Sequence, residues 1–152
     1  MALSRNQRVS MLQEWAKLLY ASYLRYASQD ARVWEDKCDF KTRKLVDDYV
    51  REEETFRVRV VHAIRKLDAV VPMCQFPEDV SYLNYLHLPV VFSRAVQRMS
   101  GTADTIEAAT KLAEAEGEYE ISDLGEEIVA SIRAHIEGLK PLCATADQVS
   151  PA

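Results

Sequence analysis

Glutamate and histidine side chains on helices are the residues of this chain best suited to metal chemistry. A Glu-x-x-His sequence on a helix places a carboxylate and an imidazole on one face, one turn apart, where both can bind iron. None of the three histidines has a glutamate three positions before it, because those positions hold Arg59, Asn84 and Ile132. A metal centre built on such pairs is therefore not predicted.

One carboxylate, that of Glu53, falls on a helix face that should be buried. The apolar stripe around it consists of Leu45/Val46, Tyr49, Phe56, Val60, Ala63/Ile64 and Leu67. A buried carboxylate without a partner costs several kcal/mol or stays protonated. We therefore predict that Glu53 contacts His135, Tyr20 or another polar group across the interior. The alternatives are an exposed Glu53 and a Glu53 that acts as a metal ligand.

Four long helices are predicted from the periodicity of apolar residues. They span about Val9–Glu35, Asp39–Val70, Val90–Gly117 and Ile121–Leu139, with Asp39 as an N-terminal cap. We expect Gly101 to kink or split the third helix. Residues 141–152 are predicted to form a disordered tail.

The connection between the second and third helices contains Pro72, Pro77 and Pro89. Its length and its apolar residues suit a crossover that packs along a helical bundle. The fold prediction is thus all-α: residues 1–140 form an up-down-up-down four-helix bundle with a long crossover between helices two and three.

Composition excludes several classes of function. The 152-residue chain has a net charge of -5, which argues against a general nucleic-acid binder. No apolar run approaches the ~20 residues that a membrane-spanning helix needs. Three cysteines without a CxxC spacing, and residues 1–13 without a secretory pattern, predict free, unreactive thiols in the cytoplasm.

The segment DLGEEIVASIRAHIEGL, residues 123–139, resembles the last bundle helix of bacterioferritins, which typically reads DLLEDILESEEEHIDWLE. The segment LLYASYLRYASQDARVWED, residues 18–36, is similar to the first helix of that family, anchored on Asp30-Ala31-Arg32. The resemblance extends over about residues 10–140. It implies a ferritin-like fold, in which four carboxylates and two imidazoles hold a di-iron centre.

The resemblance also implies that most of those ligands are replaced. The family's six ligand positions fall on Tyr20, Glu53, Phe56, Met99, Ile132 and His135. Only Glu53 and His135 retain ligand types. Two residues cannot hold a di-iron pair, and weak binding of a single metal ion is the alternative. The family's haem-binding Met falls on Glu54, so no haem is expected.

Two functions follow as alternatives. The first is a non-catalytic bacterioferritin-like protein without a cofactor, a structural or interaction module that forms a homodimer or larger homo-oligomer. The resemblance would make it accessory to a bacterial assembly such as the carboxysome. A complete cage is not expected, because Pro141 lies where the family's fifth helix should begin. The second is an iron-binding protein (ferroxidase, iron store or di-iron oxygenase) rebuilt from carboxylates such as Glu14, Glu52, Glu54 or Glu127. A small apolar ligand in the core is a third possibility.

Overall fold

The computed structural model describes residues 2–29, 39–76, 80 and 86–144, and the described residues are helical, without strands. Five α-helices follow one another: α1 (Arg5–Tyr20), α2 (Tyr23–Gln29), α3 (Phe40–Lys66), α4 (Leu88–Ala115) and α5 (Tyr119–Leu139). The all-α class is thus confirmed. None of these helices is long and apolar enough to cross a membrane.

The first predicted helix is divided in two, at Ala21 and Ser22. The Ser22 hydroxyl accepts a hydrogen bond from the backbone N–H of Arg25 (3.2 Å), so Ser22 starts α2 as a helix cap. The prediction of one continuous helix is therefore wrong at this point. Its last residues, Asp30–Glu35, lie outside the described residues.

The α3 helix begins as predicted, because the Asp39 carboxylate accepts a hydrogen bond from the backbone N–H of Thr42 (2.7 Å). It ends at Lys66, four residues before the predicted end, and Asp68 then adopts a left-handed conformation with a φ of 52°. In contrast, α4 runs unbroken through Gly101. The predicted split at that glycine is wrong, because 28 residues of helix tolerate one exposed glycine.

Contacts between helix ends fix the directions of the first two long helices. Arg5, at the start of α1, donates hydrogen bonds to the carbonyl oxygens of Leu67 (2.6 Å) and Asp68 (3.0 Å), just beyond the end of α3. These two helices are therefore antiparallel. The chain then returns along α1, where Gln13 donates a hydrogen bond to the Val70 carbonyl (2.8 Å).

The direction of α4 differs from the predicted one. Arg98, in its first half, donates a hydrogen bond to the Ala21 carbonyl at the end of α1 (2.9 Å). Arg8, near the start of α1, lies 3.8 Å from the Glu118 carboxylate beyond the end of α4. Hence α4 is antiparallel to α1 and parallel to α3. The order is up-down-down-up, not up-down-up-down, because the connection after α3 runs back along the helices before α4 begins.

One apolar core joins the helices. Its largest fully buried side chains include Leu12, Trp15, Leu19, Val46, Val60, Ile64, Ile106, Ile128 and Leu139. Helices α4 and α5 approach each other closely at Gly125, where a Cβ atom would collide with Thr110 and lie 2.8 Å from the Trp15 ring. This glycine lets the α4–α5 hairpin pack tightly.

The segment after α5 is described as far as Ala144. Lys140–Leu142 form a single 3-10 turn. The backbone N–H of Ala144 then donates hydrogen bonds to the Pro89 carbonyl (3.0 Å) and the Ser93 hydroxyl (2.8 Å). Residues 141–144, which the sequence predicts to be disordered, are therefore held against α4.

Candidate functional site

The structure places the six predicted site positions in five different environments. Glu53 on α3 and Met99 on α4 line one small internal crevice. Ile132 is buried in the core and His135 lies at the α3–α5 seam. Tyr20 stacks on the Phe76 ring, and the Phe56 ring lies under the guanidinium group of Arg59. Glu53 and His135 therefore have different polar partners.

Glu53 is buried, with 5% of its surface exposed, as its place in the apolar stripe predicts. Its Oε2 atom accepts a hydrogen bond from the Tyr49 hydroxyl at 2.7 Å. Tyr49 lies one helical turn earlier on α3, so the pair is formed within a single helix. Glu53 thus has a polar partner, but it is neither His135 nor Tyr20, and it lies on the same helix and not across the interior.

A buried arginine completes the surroundings of Glu53. Arg25 on α2 is 6% exposed, and its Nε atom lies 3.7 Å from the Oε1 atom of Glu53. The Nη2 atom of the same guanidinium lies 2.8 Å from Oε2 of Glu54. Arg57 donates two further hydrogen bonds to Glu54, at 2.8 and 2.7 Å. Arg25 is thus closer to the carboxylate of Glu54 than to that of Glu53.

The protonation of the two neighbouring carboxyl groups follows from this geometry. Burial raises the pKa of Glu53 to about 8, against the opposing effects of the Tyr49 hydrogen bond and the Arg25 charge. The hydrogen bonds from Arg57, together with Arg25, lower the pKa of Glu54 to about 2. Burial also raises the pKa of Tyr49. At neutral pH Glu53 is therefore a neutral acid and Glu54 an anion.

His135 belongs to a separate polar cluster. Its Nε2 atom lies 3.0 Å from Oε2 of Glu52, and the Ser131 hydroxyl donates a hydrogen bond to Oε1 of the same carboxylate at 2.5 Å. These bonds lower the pKa of Glu52. The imidazole packs edge-on against the Tyr49 ring, with ring centroids 5.0 Å apart. Tyr49 therefore lies between the Glu53 carboxyl and the seam.

Two cavities flank the Arg25–Glu53 contact. The internal crevice has a volume of about 10 Å³ and lies between α2, α3 and α4. An open groove of about 640 Å³ runs over the outer side of α2 and α3. Its walls are formed by Arg25, Ser28, Asp47, Val50, Arg51, Glu54, Thr55, Val58 and Arg59.

The remaining carboxylates do not converge on an alternative site. Glu14 is exposed on α1, and Glu127 pairs with Arg59 at 2.6 Å. Across the described ranges, no group of three histidine, cysteine, aspartate or glutamate side chains is arranged to hold a metal ion. Among the cysteines, Cys74 and Cys143 are free, and Cys38 lies outside the described residues.

The sequence does not predict two residues of the Glu53 cluster, Tyr49 and Arg25. Its periodicity places Tyr49 in the apolar stripe, although a spacing of four residues from Glu53 also permits a hydrogen bond within the helix. The sequence does not indicate that Arg25 is buried, because the helix break at Ala21 and Ser22 changes which residues of α2 face inward.

Comparison with known proteins adds no relative. No protein-family model, curated protein or solved structure matches this chain.

Proposed function

We propose that this chain is a non-catalytic, ferritin-like helical module that acts by binding protein, first of all a second copy of itself. One observation carries the non-catalytic part: the Arg25 guanidinium lies 3.7 Å from Glu53, the single carboxylate of the predicted centre that is buried. A fixed cation at that distance opposes a metal ion electrostatically. The residues present therefore do not fit a di-iron centre.

The chain directions support the ferritin-like assignment. Two antiparallel pairs, α1 with α3 and α4 with α5, are joined by one long connection between the parallel helices α3 and α4. One long crossover is the arrangement of ferritin-like bundles. In this proposal Met99 and Ile132 occupy former ligand positions as core side chains, both less than a tenth exposed.

The groove supports self-association. The groove residues on α3 that recur every three to four positions form a stripe, which we call the α3 stripe: Asp47, Val50, Arg51, Glu54, Thr55 and Val58. Residues at this spacing share one side of a helix. A second α3 helix, packed antiparallel about a twofold axis near residues 52 and 53, would place each Arg51 opposite the partner's Glu54.

The charges of the stripe suit this twofold arrangement. Arg51 is exposed and forms no ion pair with other described residues. Glu54 is an anion at neutral pH, and its side chain remains 39% exposed although Arg25 and Arg57 contact it. Because a twofold interface brings the same patch of both subunits together, the Arg51–Glu54 contact would form twice. Val50 and Val58 supply the apolar part of the same surface.

Iron loading tests the non-catalytic part. The protein is purified after growth with added iron, and its bound metal and its rate of Fe(II) oxidation are measured. We expect less than about one iron per subunit and oxidation at the rate of the buffer. More iron, or oxidation above that rate, would favour the alternative function, an iron-binding ferritin-like protein.

A rebuilt centre tests the assignment to ferritin-like proteins. The substitutions Phe56→His and Ile132→Glu restore two ligand types, and Arg25→Gln removes the opposing cation. We expect the triple variant to bind more iron than the variant that retains Arg25. If neither variant binds iron although both fold, the assignment of these ligand positions fails.

Sedimentation or light scattering tests the self-association. Arg51→Glu places four like charges at the centre of the twofold contact, so we expect the dimer dissociation constant to rise about tenfold or more. Lys111→Glu, an exposed position on α4 outside the groove, makes the same change of charge and serves as the matched control. Equal masses for the two variants at every concentration would contradict a contact through the α3 stripe.

A further inference from the structure

One oxygen of the buried Glu53 side chain has no hydrogen-bond partner of good geometry among the described residues. The Oε2 atom accepts a hydrogen bond from the Tyr49 hydroxyl, whereas Oε1 is buried and has no such partner, although the Ser22 hydroxyl lies close enough to the carboxyl to lower the pKa of Glu53. The nearest cation, Nε of Arg25, lies at 3.7 Å, which exceeds hydrogen-bond distance. Buried polar atoms in native proteins almost always have a partner, and ordered water supplies it where the protein does not.

Glu53 also lines the internal crevice. Its volume of about 10 Å³ matches a single water molecule and no larger ligand. Besides Glu53, the crevice is lined by Ser22 and Thr102, which carry small neutral hydroxyl groups, and by Tyr23 and Tyr49, of which Tyr49 already donates to Glu53. A buried water makes about three hydrogen bonds, and Glu53, Ser22 and Thr102 offer that number.

The charges around the crevice select a neutral occupant. Arg98 lines the crevice and Arg25 lies beside Glu53, so a metal or ammonium ion would meet two guanidinium groups. An anion would meet the apolar walls formed by Leu18, Leu24, Ala95 and Met99, and the volume of about 10 Å³ leaves no room for one larger than water. Water is small enough and can both donate and accept hydrogen bonds.

We propose that this crevice is a binding site for one structural water molecule, which forms hydrogen bonds with Oε1 of Glu53 and with the hydroxyls of Ser22 and Thr102. The water completes the polar cluster at the position where the interior of the protein carries its buried carboxyl group. It thereby holds together α2, α3 and α4, which supply the three side chains.

Magnetic relaxation dispersion of the water nuclei, which counts long-lived internal water molecules, tests this proposal on the full chain. We expect Glu53→Met to lose one such water relative to the wild type, because the methionine offers no strong acceptor and fills the crevice. Met99→Leu, an apolar exchange in the same crevice wall, is the matched control and should keep the water. Equal counts in the wild type and Glu53→Met would overturn the proposal.

A second measurement tests the water site even if the Glu53→Met variant does not fold. A crystal structure of the wild-type protein should show a water peak about 2.8 Å from Oε1 of Glu53. The double substitution Ser22→Ala with Thr102→Val keeps Glu53 but removes two of the three partners, and the peak should then disappear. A wild-type map without density at this position, or a peak that persists unchanged in the double variant, would refute the site.

Discussion

Glu53 and Glu52 are neighbours on α3, yet they belong to two different regions of the molecule. Successive residues of a helix point about 100° apart. Glu53 therefore faces the interior with Tyr49 and Arg25, while Glu52 faces the α3–α5 seam with Ser131 and His135. The Glu53 region is buried, and the seam is partly open to solvent.

The two regions shift the pKa of a glutamate side chain in opposite directions. Burial raises the pKa of Glu53 to about 8, whereas hydrogen bonds from Ser131 and His135 lower the pKa of Glu52. The difference shows that the surroundings of each carboxyl, and not its position in a motif, decide what it can do. Glu53 and Glu52 point into different regions and therefore do not converge on one site.

The largest expected effect is a pH dependence of stability that originates at Glu53. Its pKa in the folded protein, about 8, lies above the ordinary value of 4.5, so the folded state retains the proton longer than the unfolded chain. The contribution of Glu53 to the free energy of unfolding is therefore largest below pH 4.5, and it is lost as the pH rises toward 8. The loss amounts to at most about 5 kcal/mol.

Glu53→Gln removes this titration while keeping the shape of the side chain. We expect the variant to gain stability over the wild type as the pH increases from 5 to 8, measured by urea unfolding at each pH. Glu14→Gln, at an exposed position on α1, is the control and should leave the pH profile unchanged. Parallel pH profiles for Glu53→Gln and the wild type would show that Glu53 is already ionised at neutral pH.

The next effect concerns the charge partner of Arg25. Arg25→Met removes a buried cation beside Glu54, and we expect a loss of about 3 kcal/mol in the free energy of unfolding. Double-mutant cycles at pH 7 should give a coupling energy with Glu54→Gln and almost none with Glu53→Gln, because Glu53 is neutral there. A larger coupling with Glu53 at pH 7 would reverse the assignment of charges.

Local patterns predicted the helices better than their arrangement. The Asp39 cap and the apolar periodicity locate α3, because both signals lie within a few residues of the helix itself. The break at Ser22 has no such signal, since serine occurs both inside helices and at their caps. The direction of α4 depends on the path of the connection from Leu67 onward, which periodicity does not report.

The candidate site was predictable only where its contacts lie within one helix. The burial of Glu53 follows from the stripe of a single helix, and its Tyr49 partner lies on that helix too. The contact of His135 with Glu52 depends on the relative rotation of α3 and α5, which a sequence pattern does not determine. The burial of Arg25 depends on the break before α2.

The smallest expected effect lies at the seam. Glu52→Ala removes the contacts with Ser131 and His135, and the Glu52 side chain is 45% exposed. We expect a loss of about 0.5 kcal/mol, because exposed ion pairs and their hydrogen bonds contribute little. Asp123→Ala, at an exposed position on α5, provides a control for the loss of a surface carboxylate.

Salt separates the seam from the interior. At ~1 M salt the screening length is about 3 Å, so the effect of Glu52→Ala should shrink. The effect of Arg25→Met should persist under the same conditions, because its contacts are buried. Urea unfolding of both variants at low and high salt measures the two responses. An equal response to salt would mean that the seam and the Glu53 region are not electrostatically distinct.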